Sequence, residues 1–294
     1  MLIVIADQME ESVVGEIKKL GKVEYKPADL KGALREADAL IVRSATKVTR
    51  ELIAEAPRLR MVARAGVGLD NVDQEACIEH GIKVLNTPGA STNAVAELTL
   101  GLIMAGLRNV QKAHHQMKRG VWDKKNLTGL EIEGKTLGIL GYGRIGAAVA
   151  KKAHALGMKV IAYNPPPRHE DEFVQFIDNL DAFFGHADVV SLHAALTEST
   201  KNIIGRDNIA KMKGGAFLVN AARGEMVDED ALYDAIKSGK LIGAALDVYR
   251  EEPYRGKLLE LDNVYFTPHL GASSKEAQAR IGEELVRLLR QELK

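Results

Sequence analysis

The stretch Thr136-Leu137-Gly138-Ile139-Leu140-Gly141-Tyr142-Gly143-Arg144-Ile145-Gly146 decides the fold. Residues 136–140 form an apolar run of strand length, and Gly141, Gly143 and Gly146 follow with G-x-G-x-x-G spacing. The next residues, AAVAKKAHALG, repeat apolar side chains at helical intervals and stop at Gly157. A further strand is expected over Lys159–Tyr163, so the glycines lie between a strand and a helix of one βαβ unit. Gly141 permits the sharp turn, Gly143 lets backbone approach a pyrophosphate, and Gly146 lets the helix pack closely on the strand. The helix start aims N–H groups at the phosphates, and the expectation is a dinucleotide site. One position departs from this pattern. An acid is expected about 20 residues on, where it would bind the ribose hydroxyls. The residue there is Asn164, which accepts a hydrogen bond but carries no charge to repel a 2′-phosphate. Arg168, just past the rigid turn Pro165-Pro166-Pro167, is placed to reach towards such a phosphate, which leaves NADP open.

Outward from this unit, strands are expected at 136–140, 159–163, 188–192, 216–220, 242–247 and 264–266, a doubly wound sheet. Upstream, strands at Leu2–Ala6, Lys22–Tyr25, Ala39–Val42, Met61–Ala63 and Lys83–Leu85 alternate with short helical patterns and form a second, smaller parallel α/β unit. Thr87-Pro88-Gly89 breaks that alternation, and Ser91 or Thr92 is expected to cap a long helix running to about Lys118. The first half of this helix is apolar nearly all round, which suits a helix that also packs on a second subunit. The last segment, Ser273–Glu292, has an apolar helical stripe, with Ser273 and Glu276 at capping-box spacing. The expected domains are 1–88, 89–271 and a returning helix over 272–294.

The totals narrow the function. Forty basic and forty acidic residues cancel, so the chain shows no broad electrostatic footprint for nucleic acid or an anionic membrane. Cys77 is the only cysteine, which excludes an internal disulfide and a zinc-type spacing, and no metal is expected. The apolar start breaks at Asp7 and reads as a strand, and the apolar stretch Leu98–Leu107 is too short to span a bilayer. A cytoplasmic protein is expected.

Ligands gather at the carboxyl ends of strands in such sheets. Strand 216–220 runs into Asn220-Ala221-Ala222-Arg223-Gly224, strand 242–247 into Asp247 and then Glu251-Glu252-Pro253, and strand 264–266 into Thr267-Pro268-His269-Leu270-Gly271-Ala272. An arginine, carboxylates and a histidine therefore converge at three strand ends. Oxidation of a hydroxy acid needs these groups. A histidine takes the hydroxyl proton near neutral pH. A carboxylate beside it fixes its tautomer. An arginine grips the substrate carboxylate and polarises the reacting oxygen.

Several stretches are more specific than any glycine turn: IVRSATKVT, ARAGVGLDNVD, NTPGASTNAVAELTLGLI, GKTLGILGYGRIG, NAARGEMVDEDAL, GAALDVYREEP and PHLGASSKEAQ. Through them the chain resembles the D-isomer-specific 2-hydroxyacid dehydrogenases, and within them the branch that oxidises 3-phosphoglycerate, from about Val42 to Gly282. The resemblance implies two Rossmann-like lobes, with a doubly wound cofactor domain inserted into a smaller flavodoxin-like substrate domain, and a homodimer joined by the helix that begins near Thr92. It implies a catalytic triad of Arg223, Glu252 and His269. Cofactor contacts are implied at Gly141, Gly143, Arg144, Ile145, Gly146, Asn164, Ala221, Ala222, Asp247, His269, Gly271 and Ala272. Arg43, Ser44 and Arg64 would bind the substrate phosphate, and the Gly66-Val67-Gly68 loop would offer backbone N–H groups to its carboxylate, beside Arg223 and His269. NAD is the cofactor implied. Ala194-Ala195 replaces a Thr-Pro or Val-Pro pair of the family, which weakens side-chain contact to the cofactor there. Longer relatives carry a C-terminal serine-binding regulatory domain, and the expectation is that this feedback is absent. The competing readings are reduction of glyoxylate, hydroxypyruvate or another 2-oxo acid, and, from another class, a dinucleotide-sensing corepressor-like binding protein.

Overall fold

The computed structural model describes residues 1–166 and 171–292. Packing divides the chain into two compact units, one of Met1–Thr92 with Ala272–Lys294 and one of Asn93–Gly271. The first crossing falls at Thr92, past the 88/89 boundary expected from Thr87-Pro88-Gly89.

The first unit is built on β1 (Leu2–Ile5), β2 (Lys22–Tyr25), β3 (Ala39–Val42), β4 (Met61–Arg64) and β5 (Lys83–Asn86). All pairings are parallel and the order is β2-β1-β3-β4-β5, the flavodoxin-like arrangement. β3, ALIV, is buried along its whole length, as a central parallel strand covered on both faces must be. The helices are α1 (Glu11–Lys18), α2 (Leu30–Leu34), α3 (Arg50–Ala54) and α4 (Gln74–Glu79). Side chains of Asp29, Thr49 and Asp73 accept N–H bonds at the starts of the last three. The sequence pattern missed α4, whose single turn and a half carries too few apolar positions to show a period.

The chain enters the second unit through α5 (Thr92–Leu107), whose first residue still belongs to the first, and continues into α6 (Val110–Lys118). The single long helix expected here is broken at Asn109, which adopts φ 53°. Asparagine tolerates that left-handed conformation. The break is held in place: the Tyr265 hydroxyl donates to Asn109 Oδ1 at 3.2 Å, and Asn109 Nδ2 donates to the carbonyls of Leu127 and Thr128. The cap expected from Thr92 is not made, since its hydroxyl is buried without a hydrogen-bond partner.

The sheet of this unit contains β6 (Thr136–Leu140), β7 (Lys159–Tyr163), β8 (Val174–Phe176), β9 (Val189–Leu192), β10 (Ala216–Asn220), β11 (Leu241–Leu246) and β12 (Val264–Phe266). Its order is β12-β11-β10-β9-β6-β7-β8, all parallel, a doubly wound sheet whose order reverses between β6 and β9. The helices are α7 (Arg144–Ala155), α8 (Leu180–His186), α9 (Arg206–Lys211) and α10 (Glu229–Lys237). The short edge strand β8 escaped the sequence reading. The final helix, α11 (Lys275–Glu292), belongs to the first unit and buries Ile281, Leu285 and Leu289 there. Its cap is Ser274, whose hydroxyl accepts from Ala277 N at 3.1 Å, one residue later than the expected Ser273.

Candidate active site

At the reversal of the strand order, β6 leads through Gly141-Tyr142-Gly143 into α7. Gly141 has φ +95°, and a Cβ there would collide with the backbone of Ala194, which follows β9. A Cβ at Gly146 would strike the Gly141 carbonyl, so only glycine lets α7 approach. A Cβ on Gly143 would meet nothing within 4 Å. No side chain caps α7, whose first turn therefore presents N–H groups at an open, glycine-walled face. A pyrophosphate suits this cradle in charge and size, so these residues fit a dinucleotide.

Asn164 lies at the end of β7, as the ribose position requires. Its carboxamide is engaged by the chain at both ends: Oδ1 accepts from Tyr142 N at 2.8 Å and Nδ2 donates to the Pro165 carbonyl at 2.9 Å. The oxygen's second lone pair is what remains for a ribose hydroxyl. The Tyr142 phenol donates to Asp171, an acid absent from the sequence reading. Arg168 lies outside the described residues.

The three expected chemical groups sit on neighbouring strand ends of this same unit. Asn220 ends β10 and braces the turn that follows: its Oδ1 accepts from Ala222 N at 3.0 Å and its Nδ2 donates to the Arg223 carbonyl at 2.8 Å. Ala221, Ala222 and Arg223 are all half-buried, and Arg223 Nη1 donates to the Ala222 carbonyl. A Cβ at Gly224 would run into the Tyr249 backbone, so this turn packs directly on the loop after β11. That loop carries Glu252, whose Oε1 accepts from Tyr249 N at 3.3 Å.

His269 follows β12 and has φ +54°, an uncommon conformation for a residue with a Cβ. Asp247, 1% exposed, holds it there. Asp247 Oδ1 accepts from the Thr267 hydroxyl at 2.6 Å and from Leu270 N at 2.7 Å, and Oδ2 accepts from Gly271 N at 2.8 Å. The Asp247 carbonyl accepts from His269 N at 2.9 Å. The resemblance implies a cofactor contact at Asp247, and in the structure its carboxylate is engaged by the histidine loop. His269 Nδ1 lies 3.0 and 2.9 Å from the two Glu252 oxygens. Facing a carboxylate, Nδ1 carries the hydrogen and Nε2 is left to exchange a proton with a ligand. Both side chains are about 40% exposed, open to a substrate. His193, after β9, is different: its Nε2 lies 2.8 Å from the Ser191 hydroxyl, and burial pushes it down to about 4.

In the first unit, Arg43 and Ser44 follow β3 and Arg64 ends β4, strands paired with Val42 opposite Arg64. Ser44 is exposed and the two arginines are half-buried. Arg43 Nη1 donates to the Gln8 carbonyl at 3.1 Å. In the loop beyond β4, Thr87 N donates to the Gly66 carbonyl and Asn86 Nδ2 to the Val67 carbonyl. In a trans peptide the N–H points opposite the C=O, so the N–H groups of Val67 and Gly68 turn away from these ties. Ala272 is the first residue of the returning segment, and its carbonyl accepts from Gln278 Nε2. Among the described residues no cluster of side chains could hold a metal ion, and no helix is long and apolar enough to cross a membrane.

Residues 100–271 match the family model described as D-isomer specific 2-hydroxyacid dehydrogenase, NAD binding domain. A hydroxypyruvate reductase from Thermotoga maritima is 52% identical, over 90% of this chain and 88% of that one. A D-3-phosphoglycerate dehydrogenase from Methanocaldococcus jannaschii is 46% identical over 99% of this chain but only 58% of its own length. The chain spans about half the length of the phosphoglycerate dehydrogenases that it matches. A crystal structure of D-lactate dehydrogenase from Aquifex aeolicus, complexed with NAD and lactic acid, is 30% identical and superposes with a TM-score of 0.89, covering 99% of this chain and 94% of that one. The glycine cradle, the doubly wound sheet and these likenesses agree: the chain belongs to the D-isomer-specific 2-hydroxyacid dehydrogenase family.

Proposed function

We propose that the chain oxidises 3-phospho-D-glycerate to 3-phosphohydroxypyruvate with NAD, or catalyses the reverse reaction. The observation that carries the redox part is the His269–Glu252 pair, 2.9 Å apart, on a strand-end loop of the unit that holds the glycine cradle. In the oxidation His269 Nε2 takes the hydroxyl proton while the C–H electron pair leaves with its hydrogen and the C=O bond forms. Glu252 holds Nδ1–H, fixes the tautomer and offsets the charge that the ring gains. Arg223 grips the substrate carboxylate and polarises the reacting oxygen. Gly141, Gly143, Arg144, Ile145 and Gly146 would hold the pyrophosphate, with Ala221, Ala222, Asp247, Gly271 and Ala272 lining the cofactor further along. The nicotinamide, when bound, supplies the hydride acceptor. We assign NAD rather than NADP on the strength of the NAD-binding relatives, with a shallow preference because residue 164 is uncharged.

Arg43, Ser44 and Arg64 support the phosphate, since two guanidinium groups on adjacent strand ends suit a dianion. The N–H groups of Val67 and Gly68 would serve the carboxylate. A second reading, reduction of hydroxypyruvate or glyoxylate, is favoured by the 52% identical relative named hydroxypyruvate reductase. Steady-state kinetics with phosphohydroxypyruvate, hydroxypyruvate and glyoxylate, using NADH and NADPH, separates the two. The proposal expects kcat/KM to be highest for the phosphorylated acid with NADH, and a higher value for hydroxypyruvate would replace it with the second reading. We also propose a homodimer through α5 and α6, because Met104, Val110 and Met117 expose apolar surface there, Trp122 does so just past α6, and α6 buries no residue.

A further inference from the structure

Two like charges on neighbouring strand ends repel, and each arginine carries a long, rotamer-rich side chain. Something must aim them if they are to meet one anion. One carboxamide, that of Asn71, bonds the side chain of Arg64 and the backbone that carries Arg43, whose own guanidinium is steadied by the Gln8 carbonyl. Asn71 Oδ1 accepts from Arg64 Nε at 3.0 Å. Its Nδ2 donates to the Arg43 carbonyl at 2.8 Å and to the Thr46 carbonyl at 2.7 Å. A guanidinium only donates and a carbonyl only accepts, so this network allows one orientation of the amide and uses both of its hydrogens.

Asn71 is itself fixed. Val48 N donates to its carbonyl at 2.7 Å, and Val48 forms a parallel bridge with Val72. From the opposite side the buried carboxylate of Asp7 accepts from Arg43 N at 2.5 Å, from Thr46 N at 3.3 Å and from the Thr46 hydroxyl at 2.6 Å. The turn 43–46 is thus held by its N–H groups at Asp7 and by its carbonyls at Asn71. Arg64 lies on the same fixed frame, with Nη1 close enough to Gly66 that a Cβ there would come within 2.7 Å of it. The bond to Asn71 uses the Nε–H of Arg64 and so fixes the plane of its guanidinium.

We propose that Asn71 is a positioning residue that locks Arg43 and Arg64 into one anion-binding unit and thereby sets the preference for a phosphorylated 2-hydroxy acid over an unphosphorylated one. This rests on the reading that the two arginines bind the substrate phosphate. An amide that only stiffened the loop would alter all substrates alike; one that aims the arginines alters their ratio.

The test measures kcat/KM for phosphohydroxypyruvate and for glyoxylate in the wild type, in Asn71→Ala, in Arg43→Ala/Arg64→Ala and in the triple variant, with thermal unfolding as a control. Asn71→Ala is expected to lower the ratio of the two values about tenfold, through KM for the phosphorylated acid, the size of losing one charge-assisted contact. In the background without the arginines it should leave the ratio unchanged, because nothing remains to be aimed. Asn71→Asp keeps the acceptor for Arg64 but sets an oxygen against two carbonyls. It should fall between the wild type and Asn71→Ala, and it takes over the test if the alanine variant does not fold. An unchanged ratio in both variants, or the same drop with and without the arginines, overturns the proposal. If the arginine variants themselves lower both acids equally, the phosphate reading fails on its own. The coupling of Asn71 to Arg64 is then judged by the same non-additivity on whichever acid responds to Arg64→Ala.

Discussion

The two strand-end regions solve one problem in two ways. In the first unit a buried carboxylate, Asp7, collects the N–H groups of the Arg43–Thr46 turn. In the second a buried carboxylate, Asp247, collects those of the 270–271 segment and the Thr267 hydroxyl. The arginine turn is backed from its other side by Asn71 and contains no left-handed residue. The histidine loop bends through His269 itself at φ +54°. The arginine turn is fixed by hydrogen bonds alone, from Asp7 and from Asn71, with no left-handed residue in it. If His269 exchanges a proton at Nε2, as proposed, its ring must be fixed, and backbone strain of about 1–3 kcal/mol is the cost of aiming it. On the proposed function the second region carries the proton transfer and the first the selectivity for a phosphate.

Removing the chemistry should cost the most. His269→Ala is expected to lower turnover on every acid by roughly 10²–10⁴-fold while NADH binding, read by fluorescence, persists. More than about a tenth of wild-type turnover would remove His269 from the role of base. Next comes the strain. Asp247→Asn sets an amide NH₂ against backbone N–H donors and should release the loop, with a fall in kcat of about tenfold or more. If kcat holds, Asp247 does not orient the histidine. Neither change should alter the preference between phosphorylated and unphosphorylated acids.

His193 gives a pH signature confined to the second unit. Because burial pushes it down to about 4, the unfolded chain takes up a proton there while the folded chain does not. Its folded pKa lies below its unfolded one, so stability is full above about pH 6.5 and falls as pH drops towards 4. Urea unfolding should show up to about 2 kcal/mol lost at this site between pH 7 and pH 5, and His193→Gln should flatten that slope. Equal slopes in both proteins would mean that His193 is protonated in the fold. The smallest effect is expected at the cofactor. Asn164→Asp should improve kcat/KM for NAD by a few-fold at most and penalise NADP more, since like charges brought close repel. A wild type that prefers NADP tenfold would reverse the assignment of NAD.

The sequence made the second region more legible than the first. Strand runs, the glycine spacing and the groups at three strand ends were readable because each lies at a fixed offset from an apolar strand. The conformation of His269 was not, because it depends on Asp247, which is distant in sequence and buried. Nor was the break at Asn109, where Tyr265 overrides a continuous helical pattern. In the first unit the arginines were legible only through the family resemblance, Asp7 read as the break after the first strand, and Asn71 drew no reading of its own. Their role appears only when two strands and a loop are brought together, which no local pattern encodes. The same holds for Asp171, whose link to Tyr142 crosses from the glycine turn to the approach of β8.

The division of labour between the two regions is tested most directly by kcat/KM for phosphohydroxypyruvate and glyoxylate in Arg43→Ala/Arg64→Ala. The account predicts that the phosphorylated acid loses at least about tenfold more than glyoxylate, each charge-assisted contact contributing about 1.5–3 kcal/mol. Equal losses on the two acids would contradict it, and would make the first region a general anchor for the reaction and not the source of its selectivity.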